Sequence, residues 1–203
     1  MERFYEVQNP ELLAQKCRVL WGLPPQADIG PVNTNFPQGS IGIKLVVVCE
    51  SPSITEIIEG YPTIGDTGKK LYNRWREAHG LPKLKNFSIK DHYHKFEANG
   101  IYITNLVRCR ADHSTVSLQE KNRRVKEAWP LNAPYLQEEL YKIRSVSPEA
   151  HVVFACGTAF RKEVAEAATY ATELGMPWME SLHPPAVLAL QYIEMENQRL
   201  TRC

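Results

Sequence analysis

The sequence has no apolar run of the roughly 18 residues that a transmembrane helix requires, no C-x-x-C pair and no excess of charge of one sign. The first absence, together with a start (MERFYEVQNPELL) lacking the apolar core of a signal peptide, leads to the expectation of an intracellular, cytoplasmic protein with no membrane partner. The 24 Lys and Arg against 23 Asp and Glu leave a formal charge of +1, so no global field draws the chain to nucleic acid. Any polyanion site must be a local patch. Five cysteines, odd in number and scattered, argue against a disulfide framework and against a self-evident zinc site, leaving reduced thiols as the expectation. With 203 residues and no internal repeat or low-complexity tract, residues 1–203 read as a single domain, its oligomeric state favouring a monomer.

What is present is an alternation of short apolar runs and helical periodicities. Residues 10–22 carry Leu13, Cys17, Leu20 and Trp21 at helical spacing and end near Gly22. The Pro-, Gly- and Asn-rich segment 27–42 cannot form a regular element. Leu45 to Val48 reads as a buried strand that stops at Cys49, Glu50, Ser51 and Pro52. A Gly-rich turn follows, then a helix with Leu71, Trp75 and Ala78 on one face, ended by Gly80. Segment 83–100 is polar and mixed. IYIT, closed by Asn105, reads as a second strand, and a basic stretch (Arg108, Arg110, Lys121, Arg123, Arg124, Lys126) leads to a helix around Pro134 to Ile143. HVVFACG is a third strand followed by the helix TAFRKEVAEAATY, and PWMESL a fourth ending at His183. AVLALQYIEMENQRL closes the chain as a helix. Strands alternating with helices predict a three-layer α/β/α sandwich around a short, mainly parallel sheet of about four strands.

In such a sheet the C-terminal strand ends lie along one edge, where ligands bind. Three of these ends carry polar residues: Glu50, Asn105 and His183. A carboxylate orients or activates water, an amide offers a donor and an acceptor side by side, and an imidazole stabilises a developing oxyanion. Singly, each has a plainer reading: a charge at a helix N-terminus for Glu50, a turn cap for Asn105 and a hydrogen-bonded structural histidine for His183. Two other patterns fail. The stretch G-D-T-G-K-K has Thr63 and Lys70 where a Walker loop needs Gly and Ser or Thr. Asp91, His92 and His94 lack a further strong ligand nearby and read as a solvated loop.

The stretch C-E-S-P-S-I-T-E-I-I-E-G-Y-P-T-I-G-D-T-G-K-K-L resembles the first motif of the iron-sulfur (family 4) uracil-DNA glycosylases, G-E-A-P-G followed by G-x-P-F-V-G-x-x-G-K-x-L at identical spacing. IYITNLVRCR is similar to their Y-I-T-N-x-x-K-C-R, residues 134–159 to the helix and strand that follow, and SLHPPAVL to H-P-S-x-L. The four blocks span about residues 43–190 in the family's order.

The resemblance implies a monofunctional glycosylase that hydrolyses the N-glycosidic bond of a uracil or other altered pyrimidine flipped out of DNA. It places Glu50, Glu56, Asn105 and His183 as catalytic residues: Asn105 reading the base edge, His183 donating to the ring oxygen that gains charge, and Glu50 and Glu56 positioning water or lining the pocket. Cys49, Ser51, Pro52, Tyr61 and Thr63 form the base pocket. Val187 and Leu188 supply a wedge, and Arg108, Arg110, Arg123 and Arg124 a phosphate patch.

The chain departs from the pattern in three places. Of the four cluster cysteines only Cys17 and Cys109 match, Leu20 and Asn132 standing at the other two positions, so no iron-sulfur cluster or other metal is expected and the two thiols pack together. Thr63 replaces the phenylalanine that stacks on the base, and Cys49 and Ser53 replace glycines. Pro185 and Ala189 alter the histidine motif. These changes leave open an alternative, a glycosylase-fold module that binds nucleic acid or a protein partner with little or no cleavage.

Overall fold

The computed structural model describes residues 4–32, 42–114 and 116–181. Its centre is strand β1 (Leu45–Cys49), flanked by β2 (Ile101–Asn105) and β3 (His151–Phe154), with β4 (Trp178–Glu180) beyond β3. All pairings are parallel, in the order β2-β1-β3-β4. Every residue of β1 and β2 is buried, as expected of strands covered on both faces, including the polar Thr104 and Asn105 at the end of β2.

Side chains alternate between two cores. Val46, Val48, Tyr102, Val152 and Phe154 face helices α1 (Pro10–Leu20), α5 (Leu118–Val146) and α6 (Arg161–Glu173), meeting Leu13, Leu136, Leu140 and Val164. Leu45, Val47, Cys49, Ile101 and Ile103 face the opposite layer, where α3 (Asp66–Ala78) supplies Leu71 and Tyr72 and α4 (Tyr93–Ala98) supplies Tyr93 and Phe96. The short helix α2 (Ile54–Glu59) lies between β1 and α3. This is the expected three-layer sandwich.

Two elements differ from the sequence expectation. Segment 83–100 is not merely polar coil: Ile89, Tyr93 and Phe96 recur at helical spacing and bury one face of a 3₁₀ turn (Lys90–His92) and α4. Helix α5 begins at Leu118, not near Pro134. Ser117 caps it by accepting from the Glu120 N–H at 3.1 Å, and the helix continues through Pro130 and Pro134. A proline inside a helix costs about 3 kcal/mol. Here both prolines sit on the exposed face, and a buried stripe from Val125 through Trp129, Leu136 and Ile143 offsets them. Residues 33–41 of the segment 27–42 expected to be irregular, and the closing helix expected after His183, lie outside the described residues.

Candidate active site

The parallel ladder between β1 and β2 does not stop with the strands. Cys49 and Asn105 are register partners, and beyond them the Leu106 N–H donates to the Cys49 carbonyl at 2.6 Å and the Val107 N–H to the Glu50 carbonyl at 2.9 Å. These bonds hold Glu50 and Asn105 side by side at the sheet's C-terminal edge. Asn105 is 2 % exposed, and its Oδ1 is buried without a partner. That excludes the plainer reading of a cap through this oxygen. Glu50 sits at the lip, where its carboxylate forms an ion pair with Lys121 from the first turn of α5. Sequence reasoning had placed Lys121 only in a basic stretch. Nothing local marks it, since its partner is 71 residues away.

Glu56 does something other than face water. Its carboxylate accepts from the Ser53 N–H at 2.6 Å, closing a capping box at the start of α2, and from the Thr63 N–H. Burial raises its pKa above the usual carboxylate range, and these bonds offset only part of that rise. With both oxygens on backbone donors, Glu56 is a clamp that folds loop 60–65 against the start of α2. The sequence expectation is that Glu56 positions water or lines the pocket; both of its carboxylate oxygens are instead engaged by backbone donors. The loop is also seated from below: a Cβ on Gly68 would lie 1.5 Å from the Thr63 carbonyl oxygen, so only glycine fits in that turn of α3. Thr63 itself is buried at φ 53.

The other residues expected to form the base pocket follow β1 in the chain or pack against its end. Cys49 and Tyr61 pack in one core with Tyr93, Tyr61 meeting Tyr93 edge-on at 4.9 Å. Burial pushes the Cys49 thiol well above its usual range. Pro52 is buried, and the Ser51 hydroxyl oxygen, like that of Thr63, is buried without a partner. A hollow lined by Cys156, Gly157, Thr158, Arg161, Glu180 and Ser181 opens on the same sheet edge, at the ends of β3 and β4. His183, Val187 and Leu188 lie outside the described residues.

The expected basic patch is rearranged. Arg108 is in the core, not on the surface: it is 2 % exposed, ion-paired with the fully buried Glu139 and set over the Tyr5 ring at 5.4 Å. Arg124 is also buried, bonded to Glu120 and to the carbonyls of Ala111 and His113. Both are corrections to a phosphate-binding role, because a guanidinium so enclosed cannot reach a backbone phosphate. Arg110 is bonded to Asp112, and the exposed Arg123 to Glu120 and Glu127.

The cysteine corner does form. Cys17 and Cys109 are buried with their thiols hydrogen-bonded, and Asn132 bonds to Cys17 while its Oδ1 accepts from the Arg108 N–H at 2.9 Å. Leu20 is exposed. A four-iron cluster takes four thiolates. Two thiols and an amide already engaged with the backbone do not fit it. Among the described residues there is also no group of three His, Cys, Asp or Glu that could hold a metal. Asp91, His92 and His94 lie on helical turns rather than in the expected loop, His92 stacked on Tyr72 at 5.0 Å.

The arrangement offers an unpaired acceptor in a dry corner beside a carboxylate held by a lysine. That is suited to gripping a flat polar group while stabilising positive charge next to it. In a comparison with known families, the model of the uracil DNA glycosylase superfamily matches residues 36–199.

Proposed function

The chain belongs to the uracil DNA glycosylase superfamily, and on that premise we propose that it is a monofunctional DNA glycosylase acting on uracil or another altered pyrimidine. The observation that carries this reading is the buried, unpartnered Oδ1 of Asn105 at the end of β2. An amide oxygen is an acceptor only. It matches the imide N–H of a uracil-type ring and rejects cytosine, whose corresponding nitrogen is itself an acceptor.

Breaking the bond between the base and C1′ leaves positive charge on the sugar and negative charge on the departing base. Glu50, next in the chain to Asn105's register partner, stabilises the sugar and orients the water that attacks C1′. Lys121 holds that carboxylate in place from α5. His183 donates a hydrogen bond to the base oxygen that gains charge. The base must leave the duplex to reach this corner. No iron-sulfur cluster is assigned to this chain, since the Cys17, Cys109 and Asn132 corner does not fit one.

The test is base release from a uracil-containing oligonucleotide under single-turnover conditions, comparing the wild type with Asn105→Ala and His183→Ala. Both variants are expected to lose about 10²-fold or more in rate. Unchanged rates in both overturn the assignment of the site.

A further inference from the structure

We propose that the outer face of α3 and the segment 81–90 beside it form a track for the phosphates of a single-stranded stretch of DNA flanking the target base. The partner, DNA, rests on the glycosylase reading; the track adds where and in what form that DNA is held.

The chain carries almost no net charge, and the arginines expected to supply a local patch are buried or paired with carboxylates. Positive charge collects elsewhere. Residues 66–90 hold seven Lys and Arg against two Asp and Glu, in a chain whose total is +1. Lys70, Arg74, Lys83, Lys85 and Lys90 among them are exposed.

The fold sets these cations in two rows. Segment 81–90 runs antiparallel to α3: Arg76 donates to the Pro82 carbonyl at 2.7 Å, Lys83 pairs with Glu77 at 2.8 Å, and Ile89 lies against Gly68. Between these points the Asn73 side chain bonds both backbone groups of Leu84, accepting from its N–H at 2.9 Å and donating to its carbonyl at 3.1 Å. Docked in this way by Leu84, the segment holds Lys83 and Lys85 exposed alongside the helix. Lys70 and Arg74 stand four residues apart on the outer face of α3, a spacing at which like charges repel. Glu77 is shared between Arg74, at 3.3 Å, and Lys83. Among the described residues Lys70 and Lys85 have no carboxylate partner. Cations crowded with so few counter-charges suit a partner that brings a row of anions.

The direction of the track selects the form of the DNA. Both rows start beside the pocket, where Gly68 meets the Thr63 carbonyl and Lys90 pairs with Glu59 of α2. From there Leu71, Tyr72 and Trp75 keep α3 flat against the sheet, so the track descends from the pocket edge by about 15 Å between Gly68 and Ala78. A duplex lying across that edge is straight on this scale, its persistence length being about 50 nm, and passes the track by. A single strand is flexible enough to turn down it, and a basic groove that follows the backbone is how such strands are held without regard to sequence.

The experiment measures binding against salt concentration for undamaged single strands of about 5 and about 20 nucleotides and for a duplex of about 20 base pairs. The wild type is compared with a variant carrying Lys70→Gln, Arg74→Gln and Lys85→Gln, all at exposed positions, with melting curves to verify folding. The wild type is expected to bind the long single strand about tenfold or more tightly than the short one. The variant should lose about tenfold on the long single strand at low salt, its salt slope falling by about 2, and should change little on the duplex. A salt slope unmoved in the variant, or an equal loss on duplex and single strand, overturns the track; uracil release that persists alongside either result leaves the glycosylase reading standing. Absence of base release from any substrate, with single-strand binding lost in the variant, overturns the glycosylase reading and supports the track.

Discussion

Removing the Glu139 side chain is the most demanding test of how β2 is held. Glu139 is fully buried in α5, and its carboxylate accepts from Tyr102 Oη, from Thr104 Oγ1 at 2.9 Å and from Arg108 Nη2. Two of these donors are in β2 and the third follows three residues after Asn105. Glu139→Ala leaves the Arg108 guanidinium buried with no counter-charge, which costs about 3–5 kcal/mol by itself. The two hydroxyls it also orphans push the loss towards the upper end, though such costs do not add simply. For a domain of this size, about 2–4 °C of melting temperature per kcal/mol converts this to a drop of roughly 6–20 °C. The assay is thermal or urea unfolding of the wild type, Glu139→Ala, Arg108→Met and the double variant. Because an apolar pair of similar volume can replace a buried ion pair at little cost, Glu139→Leu with Arg108→Met should be more stable than Glu139→Ala by about 2 kcal/mol or more. A melting temperature for Glu139→Ala within 2 °C of wild type, or a charge-free pair no better than the single variant, would refute the reasoning.

Three further outcomes are expected. Burial raises the Glu97 carboxyl to about 7. The folded state therefore binds more protons than the unfolded one between the unfolded carboxyl value and about 7, and stability falls as pH rises through that window. Glu97→Gln should stabilise the protein on the order of 1 kcal/mol at pH 8, once solvent screening of this half-buried group is discounted, and change little at pH 4. Equal effects at both pH values would contradict this. Lys121→Met should lower the single-turnover rate about tenfold while Lys121→Arg restores most of it, the loss falling on kcat rather than KM because Lys121 acts through Glu50. An equal loss in Lys121→Arg would sink the positioning role. Protein purified under anaerobic conditions should be colourless and free of stoichiometric iron; a brown protein with a cluster absorbance band would disprove the reading of the Cys17 and Cys109 corner.

The parts of the fold that were legible in the sequence are those whose signal is local. Three valines ended by a carboxylate and a proline mark β1, and Asn105 stands out because it interrupts an apolar run. The S-x-x-E signature of Ser53 and Glu56 is equally local but was not read as a capping box, and it explains why Glu56 turns to the backbone rather than to water. What was not legible depends on partners far along the chain. Arg108 reads as a surface charge until Glu139, 31 residues on, is seen to meet it in the core. Lys121 reads as one basic residue among several until α5 is extended back past its two prolines. Those prolines hid the start of the helix, since an interior proline ordinarily marks an end and only the buried stripe beneath reveals otherwise.

Helix α5 gathers several of these threads on one rigid rod. Lys121, Asn132 and Glu139 reach respectively the lip of the site, the thiol corner and the ion pair under β2. At 1.5 Å per residue the three are strung over about 27 Å, and each further residue turns the helix by about 100°. The helix thus works as a ruler and a compass together. A one-residue insertion between Lys121 and Glu139 would leave composition, charge and hydrophobic content almost untouched, yet no rotation of the helix could then bring both side chains back to their partners. The tolerance of this chain to length change is therefore set here, in a segment that contributes nothing to the pocket except the distance and angle between its contacts.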